Sequence, residues 1–182
     1  MTALVVYGDF NCPFSALASA RAEEVERRGA ATVEWRGVEH DTGIPPDGSE
    51  VEGDLAVMLT AELDQVRGLL RPGETDRLAL PRRQVNTAAA IRRYAGTPPA
   101  GRAALRHALF AAHWERGEAI DDDALLDGLG AGPPDASTVA DWRSAWQSAT
   151  KPIVPVLVLP DGYASRGLGA LARLAKMIDG GT

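Results

Sequence analysis

Two residue types here can do nucleophilic or acid–base chemistry near neutral pH, and they are scarce: one cysteine, Cys12, and three histidines, His40, His107 and His113. Cys12 lies in the stretch YGDFNCPFSALASARAEE, residues 7–24. There an apolar, β-branched run gives way to helical spacing. Pro13 follows it, and proline is favoured in the first helical turn, so Cys12 falls at a helix N-cap. A helix N-terminus offers free N–H groups and partial positive charge, and both favour a thiolate. The placement therefore predicts a lowered thiol pKa and a nucleophilic sulfur. Ser15, one turn on, can donate its hydroxyl to that sulfur. The competing reading is a small buried hydrophobe, a common fate of free cysteine. A single thiol cannot build a disulfide framework within the chain. No histidine stands at ligand spacing from Cys12, so no metal is expected. His113 reads as part of a solvated helix face.

The elements around Cys12 follow from hydrophobic periodicity. Residues 3–10, ALVVYGDF, read as a buried strand. From Pro13, the residues Phe14, Leu17, Ala18, Ala22 and Val25 keep helical spacing, and Gly29 supplies the stop. Residues 31–41 return to alternation, and a crossover of this length makes a parallel β-α-β unit. After a Gly/Pro loop the chain turns helical for nearly a hundred residues. One run carries Leu55, Met58, Leu59, Leu63, Val66 and Leu70; another begins at Gln84. A third spans residues 103–117. Asp121 to Asp123 read as helix-capping acids, and Ser137 as the N-cap of a stripe of Val139, Trp142, Trp146 and Ala149. Trp114, Trp142 and Trp146 read as core. Residues 153–162, IVPVLVLPDG, form an apolar strand closed by a turn. YASRG can pair with it, and LGALARLAKMI (168–178) is a last amphipathic helix. The Gly167–Ala172 stretch matches a dinucleotide fingerprint, but the chain ends before the unit that motif needs.

At 182 residues, 45% hydrophobic and 24% charged, the chain has ordinary globular composition for one domain with an insertion. A net charge of −6 argues against nucleic acid, which wants a basic partner. No stretch reaches the roughly 18 apolar residues of a membrane helix, and the N-terminus lacks the charged region of a signal peptide. A cytoplasmic protein is expected.

FNCPFS after a first strand, a Val-Pro strand near the end and a helical insert such as VNTAAAIRRYAG together resemble the thioredoxin-like superfamily. The branch is the DsbA-like oxidoreductases and their relatives, the 2-hydroxychromene-2-carboxylate isomerases and kappa-class glutathione transferases. The resemblance covers essentially the whole chain. It implies an α/β thioredoxin-like fold, β-α-β … β-β-α, from residues 1–42 and 150–182, with an all-helical insertion at 43–149. It places Cys12 at the nucleophile position and Ser15 where dithiol members keep a resolving cysteine. Val154-Pro155 matches the cis-proline loop whose backbone pairs with an extended substrate. Asn11, Pro13 and Phe14 flank the nucleophile. Asn86 falls where relatives place substrate-facing polar groups, or caps a helix.

With Ser15 in place of a second thiol, an intramolecular disulfide is impossible. The resemblance thus implies a monothiol thiol-disulfide oxidoreductase that forms mixed disulfides through Cys12. Glutathione or another small thiol would release it, with no obligatory cofactor. The alternatives are a glutathione-dependent isomerase or transferase and a non-catalytic binding module. The transferase relatives carry Gly-x-Asp-Arg after the last strand. Here Gly167-Leu168-Gly169-Ala170 lacks the acid and the arginine. Relatives are often homodimers.

Overall fold

The computed structural model describes residues 2–148 and 153–180. β1 (Thr2–Gly8), α1 (Pro13–Arg27) and β2 (Ala31–Gly37) form the expected parallel unit, Gly8 lying opposite Gly37. Both strands end two to four residues earlier than alternation suggests, because the residues beyond them leave the sheet to build the site. β5 (Val156–Val158) runs antiparallel to β1, and β6 (Ala164–Arg166) closes the hairpin. The sheet order is β2-β1-β5-β6. α7 (Leu168–Ile178) returns against α1, burying Leu171 and Leu174 beside Leu17, Ala18 and Val25.

Residues 43–148 carry α2 (Gly53–Gly68), α3 (Ala88–Ala95), α4 (Pro99–Phe110), α5 (Asp123–Gly128) and α6 (Ala136–Ser148). A π-helical turn, Ala111–Glu115, continues α4. Besides these helices there is a short antiparallel ladder, β3 (Ser49–Glu50) with β4 (Arg83–Gln84). It explains why the helix expected from Gln84 starts only at Ala88. Arg83 is held by Asp121 and by the Asp47 carbonyl, which fixes the backbone as a strand. On α2 only Leu59, Leu63 and Val66 are buried, while Met58 faces solvent. Asp122 caps α5, accepting from the Leu125 N–H at 2.9 Å. At α6 the capping oxygen is that of Asp135, which takes the Thr138 N–H, and not Ser137. Trp114, Trp142 and Trp146 are buried as expected; Ala149, assigned to the same stripe, lies outside the described residues, as do residues 150–152. Among the described residues no helix is long and apolar enough to cross a membrane.

Candidate active site

Cys12 caps the N-terminus of α1 in extended conformation (φ −105°, ψ 120°), with Pro13 next. Its carbonyl accepts the Ala16 N–H, which opens the helix, and its own N–H donates to the Asp9 carbonyl at 3.2 Å. The N–H groups of Ser15 and Phe14 and the Ser15 hydroxyl favour the thiolate, although the sulfur accepts no capping hydrogen bond from the first turn. The Ser15 oxygen accepts the Asp9 N–H at 3.3 Å.

The thiol pKa differs from the sequence expectation. Cys12 is 6% exposed. Burial pushes the thiol up to about 11; the Ser15 and Phe14 donors pull it down, and the Asp9 charge adds to the rise. Desolvation of an anion outweighs the donors at a helix N-terminus when the sulfur is sealed by core. Phe10, two residues before the thiol, is fully buried against Tyr94 and Phe110.

Val154-Pro155 is a cis peptide bond. Tyr7 pairs with Val156 in the β1–β5 ladder, so this dipeptide lies beside Gly8 and Asp9, at the sheet end that carries Cys12. The Pro155 carbonyl accepts the Gly167 N–H at 2.8 Å, and the Ile153 carbonyl accepts the Trp146 indole N–H at 2.9 Å. Asn86 does not join this group. Its amide donates to the Ile44 carbonyl and its oxygen accepts the Ala88 N–H, so it shapes the turn into α3.

Sequence reasoning missed the buried polar cluster behind the thiol. Asp9 is fully buried. Its carboxylate accepts from the Thr87 hydroxyl at 2.7 Å and from the His40 N–H at 2.9 Å, and sits 2.8 Å from His40 Nδ1. The Asn11 amide donates to the Val85 carbonyl, and the Trp114 indole N–H to the Phe10 carbonyl. The only signal in the sequence was an acid three residues before the cysteine, at a strand end.

His113, expected on a solvated face, is 1% exposed in the π-helical turn. Burial lowers its pKa to about 4, with the Arg83 charge in the same direction; its bond to the Glu118 backbone and the Asp9 charge oppose. The unfolded chain takes up this proton near pH 6.5, whereas the folded chain waits until about 4. His113 therefore drains stability as pH falls through that window, by up to about 3 kcal/mol. Urea unfolding between pH 7 and 4 is expected to show the loss, and H113L to flatten it.

A cavity of about 230 Å³ opens further along α1, between Ala16, Val66, Leu70, Leu78 and Phe110; Cys12 is not among its walls.

No family model matches this sequence, and no curated protein matches it. Solved structures do. A "probable DsbA oxidoreductase" of Streptomyces coelicolor superposes with a TM-score of 0.75 at 18% identity, covering 99% of this chain and 89% of that one. A 2-hydroxychromene-2-carboxylate isomerase gives 0.61 at 20% identity, covering 98% of each chain. A cytosolic disulfide reductase of Pseudomonas aeruginosa, in a structure with GSH, gives 0.65 at 17% identity, over 97% and 96%. Four strands in the order β2-β1-β5-β6, a cis-proline before β5, a helix starting at Cys12 and near-complete coverage by these structures together establish that the chain has the DsbA-like thioredoxin fold.

Proposed function

We propose that the protein is a monothiol thiol-disulfide oxidoreductase of the DsbA-like kind, with Cys12 as its reacting group. One observation supports the reading: Ser15 is buried in the first turn of the helix that begins after Cys12, at the position where dithiol relatives keep a resolving thiol. The Cys12 thiolate attacks a disulfide RS–SR, forming Cys12–S–S–R and releasing RS⁻, which takes up a proton. An outside thiol R′SH then attacks as its thiolate, gives RS–SR′ and returns Cys12. Glutathione or another small thiol fills that role, in a reducing compartment. The backbone at Val154-Pro155, with Asn11, Pro13 and Phe14 around the thiol, holds an extended substrate.

The similarity to a 2-hydroxychromene-2-carboxylate isomerase supports a second reading, a glutathione-dependent isomerase. The cysteine at position 12 and the missing acid and arginine after Gly167 weigh against it.

Incubation with oxidised glutathione or hydroxyethyl disulfide at pH 8.5, followed by intact mass measurement, is the test. The wild type is expected to gain one adduct that dithiothreitol removes, and C12S none. Absence of any adduct would sink the oxidoreductase reading; tight reduced-glutathione binding that survives in C12S would favour the isomerase.

A further inference from the structure

We propose that Asp9 and His40 form a charge pair that sets the ionisation of Cys12: the His40 imidazolium cancels a buried carboxylate that otherwise opposes the thiolate. This deepens the reading above and rests on Cys12 being the reacting thiol.

The placement is specific. Asp9 leaves β1 one residue after the strand ends, and its carbonyl holds the Cys12 N–H. Its carboxylate has no exposure, and each of its contacts is with a group able to donate. Oδ1 takes the Thr87 hydroxyl at 2.7 Å and the Asn11 N–H at 3.5 Å. Oδ2 takes the His40 N–H and faces the His40 ring at 2.8 Å. A charge in that position acts on the sulfur through protein and not through water, so it is weakly screened. It is one of the causes that raise the thiol.

The groups facing the pair leave His40 as the cation in direct contact. Asp41 beside it and Glu62 from α2 are both acidic. Glu39 lies near Asp9 and is itself faced by Arg92 of α3 and Arg143 of α6. Thr87 carries no charge, and His113 stays neutral near Asp9, with Arg83 facing it. Burial alone would lower the His40 pKa, but the hydrogen bond and charge of Asp9, with Asp41 and Glu62, raise it above the ordinary value. His40 therefore keeps its proton further towards neutrality than a free histidine. Below that raised pKa the sulfur faces a neutral pair; above it, a bare carboxylate. The site thus carries a brake that engages as His40 loses its proton.

The consequence is an unusual pH profile. An isolated thiol reacts about tenfold faster per pH unit until its pKa is reached. Cys12 is expected to climb less steeply across the His40 titration, because each lost imidazole proton makes the next thiolate harder to form.

The test is the alkylation rate with iodoacetamide, an uncharged probe, from pH 6 to 10, read by intact mass in four proteins. At pH 7, H40Q is expected to react several-fold to about tenfold more slowly than wild type. H40K supplies a permanent cation and is expected to recover the rate and to climb the full tenfold per unit. D9N removes the carboxylate and is expected to match or exceed the wild type at pH 7 and to outpace H40Q about tenfold. A pair that only braces the loop would move D9N and H40Q in the same direction and would not be rescued by lysine; either result overturns the proposal. Should D9N fail to fold, the H40Q and H40K profiles decide alone, since the His40 side chain is 34% exposed. If Cys12 is inert in every variant at every pH, the oxidoreductase reading itself falls, and this proposal with it. A reactive wild type whose variants do not separate overturns only the charge pair.

Discussion

At pH 8.5, iodoacetamide is expected to alkylate Cys12 at least tenfold more slowly than the same cysteine in urea. The arithmetic is short. A thiol at about 11 has roughly a hundredth or less of the thiolate that an ordinary cysteine, near 8.5, presents at that pH. A more basic thiolate is a better nucleophile by about 0.4–0.5 log units per pKa unit, which returns roughly tenfold. The steric seal over a sulfur 6% exposed acts in the slow direction as well. S15A removes one donor from the sulfur and is expected to slow the reaction further. A midpoint below 8.5 would instead mean that the helix N-terminus outweighs burial. The raised value also sets the direction of exchange. On the oxidoreductase reading proposed above, a basic thiol is a poor leaving group, so a mixed disulfide at Cys12 is expected to persist.

The second large effect lies far from the thiol. G96A and G132A are each expected to cost 3 kcal/mol or more, lowering the melting temperature by about 10 °C for a chain of this size. A Cβ on Gly96 would fall 1.7 Å from the Pro133 carbonyl oxygen, and one on Gly132 would fall 2.4 Å from the Gly96 carbonyl oxygen. Both obstacles are backbone, so no side chain can swing away. The approach cannot open without loss either. The Asp135 N–H donates to the Arg92 carbonyl at 2.9 Å, the Gly132 N–H to the Thr97 hydroxyl at 2.8 Å, and Arg93 to the Ala131 and Gly132 carbonyls. G68A, where a methyl group meets nothing at the end of α2, is expected to leave stability level or raise it slightly. Thermal unfolding of the three variants checks the contrast. Equal melting temperatures in all three would mean that the α3–α6 approach is soft.

What the sequence made legible was what periodicity and local punctuation encode. Leu17, Ala18 and Val25 mark the buried face of α1; Pro13 marks its start; alternation in residues 31–37 marks β2. The motif at Cys12 and the Val154-Pro155 dipeptide fall at one end of the sheet because both sit at strand ends. Long-range partners were the blind spot. Thr87 and His40 meet Asp9 across separations of 78 and 31 residues, and neither carries a local signature. The thiol pKa went wrong for the same reason. A helix N-terminus is visible in one segment, whereas the burial that desolvates the thiol depends on how the rest of the chain packs around it. His113 was misplaced because the π-helical turn shifts the face that helical spacing assigns to it.

The short loop from Asp9 to Asn11 is fastened from outside at each residue: Asp9 by His40 and Thr87, Phe10 by Trp114, Asn11 by Val85. Three of those four fasteners come from residues 85–114. Its amides are therefore expected to exchange with solvent as slowly as those of the sheet, although it is a loop. A genetic screen for lost Cys12 reactivity is accordingly expected to return Val85, Thr87 and Trp114 alongside Cys12 itself, because the segment that looks like an appendage is the mould in which this turn is cast.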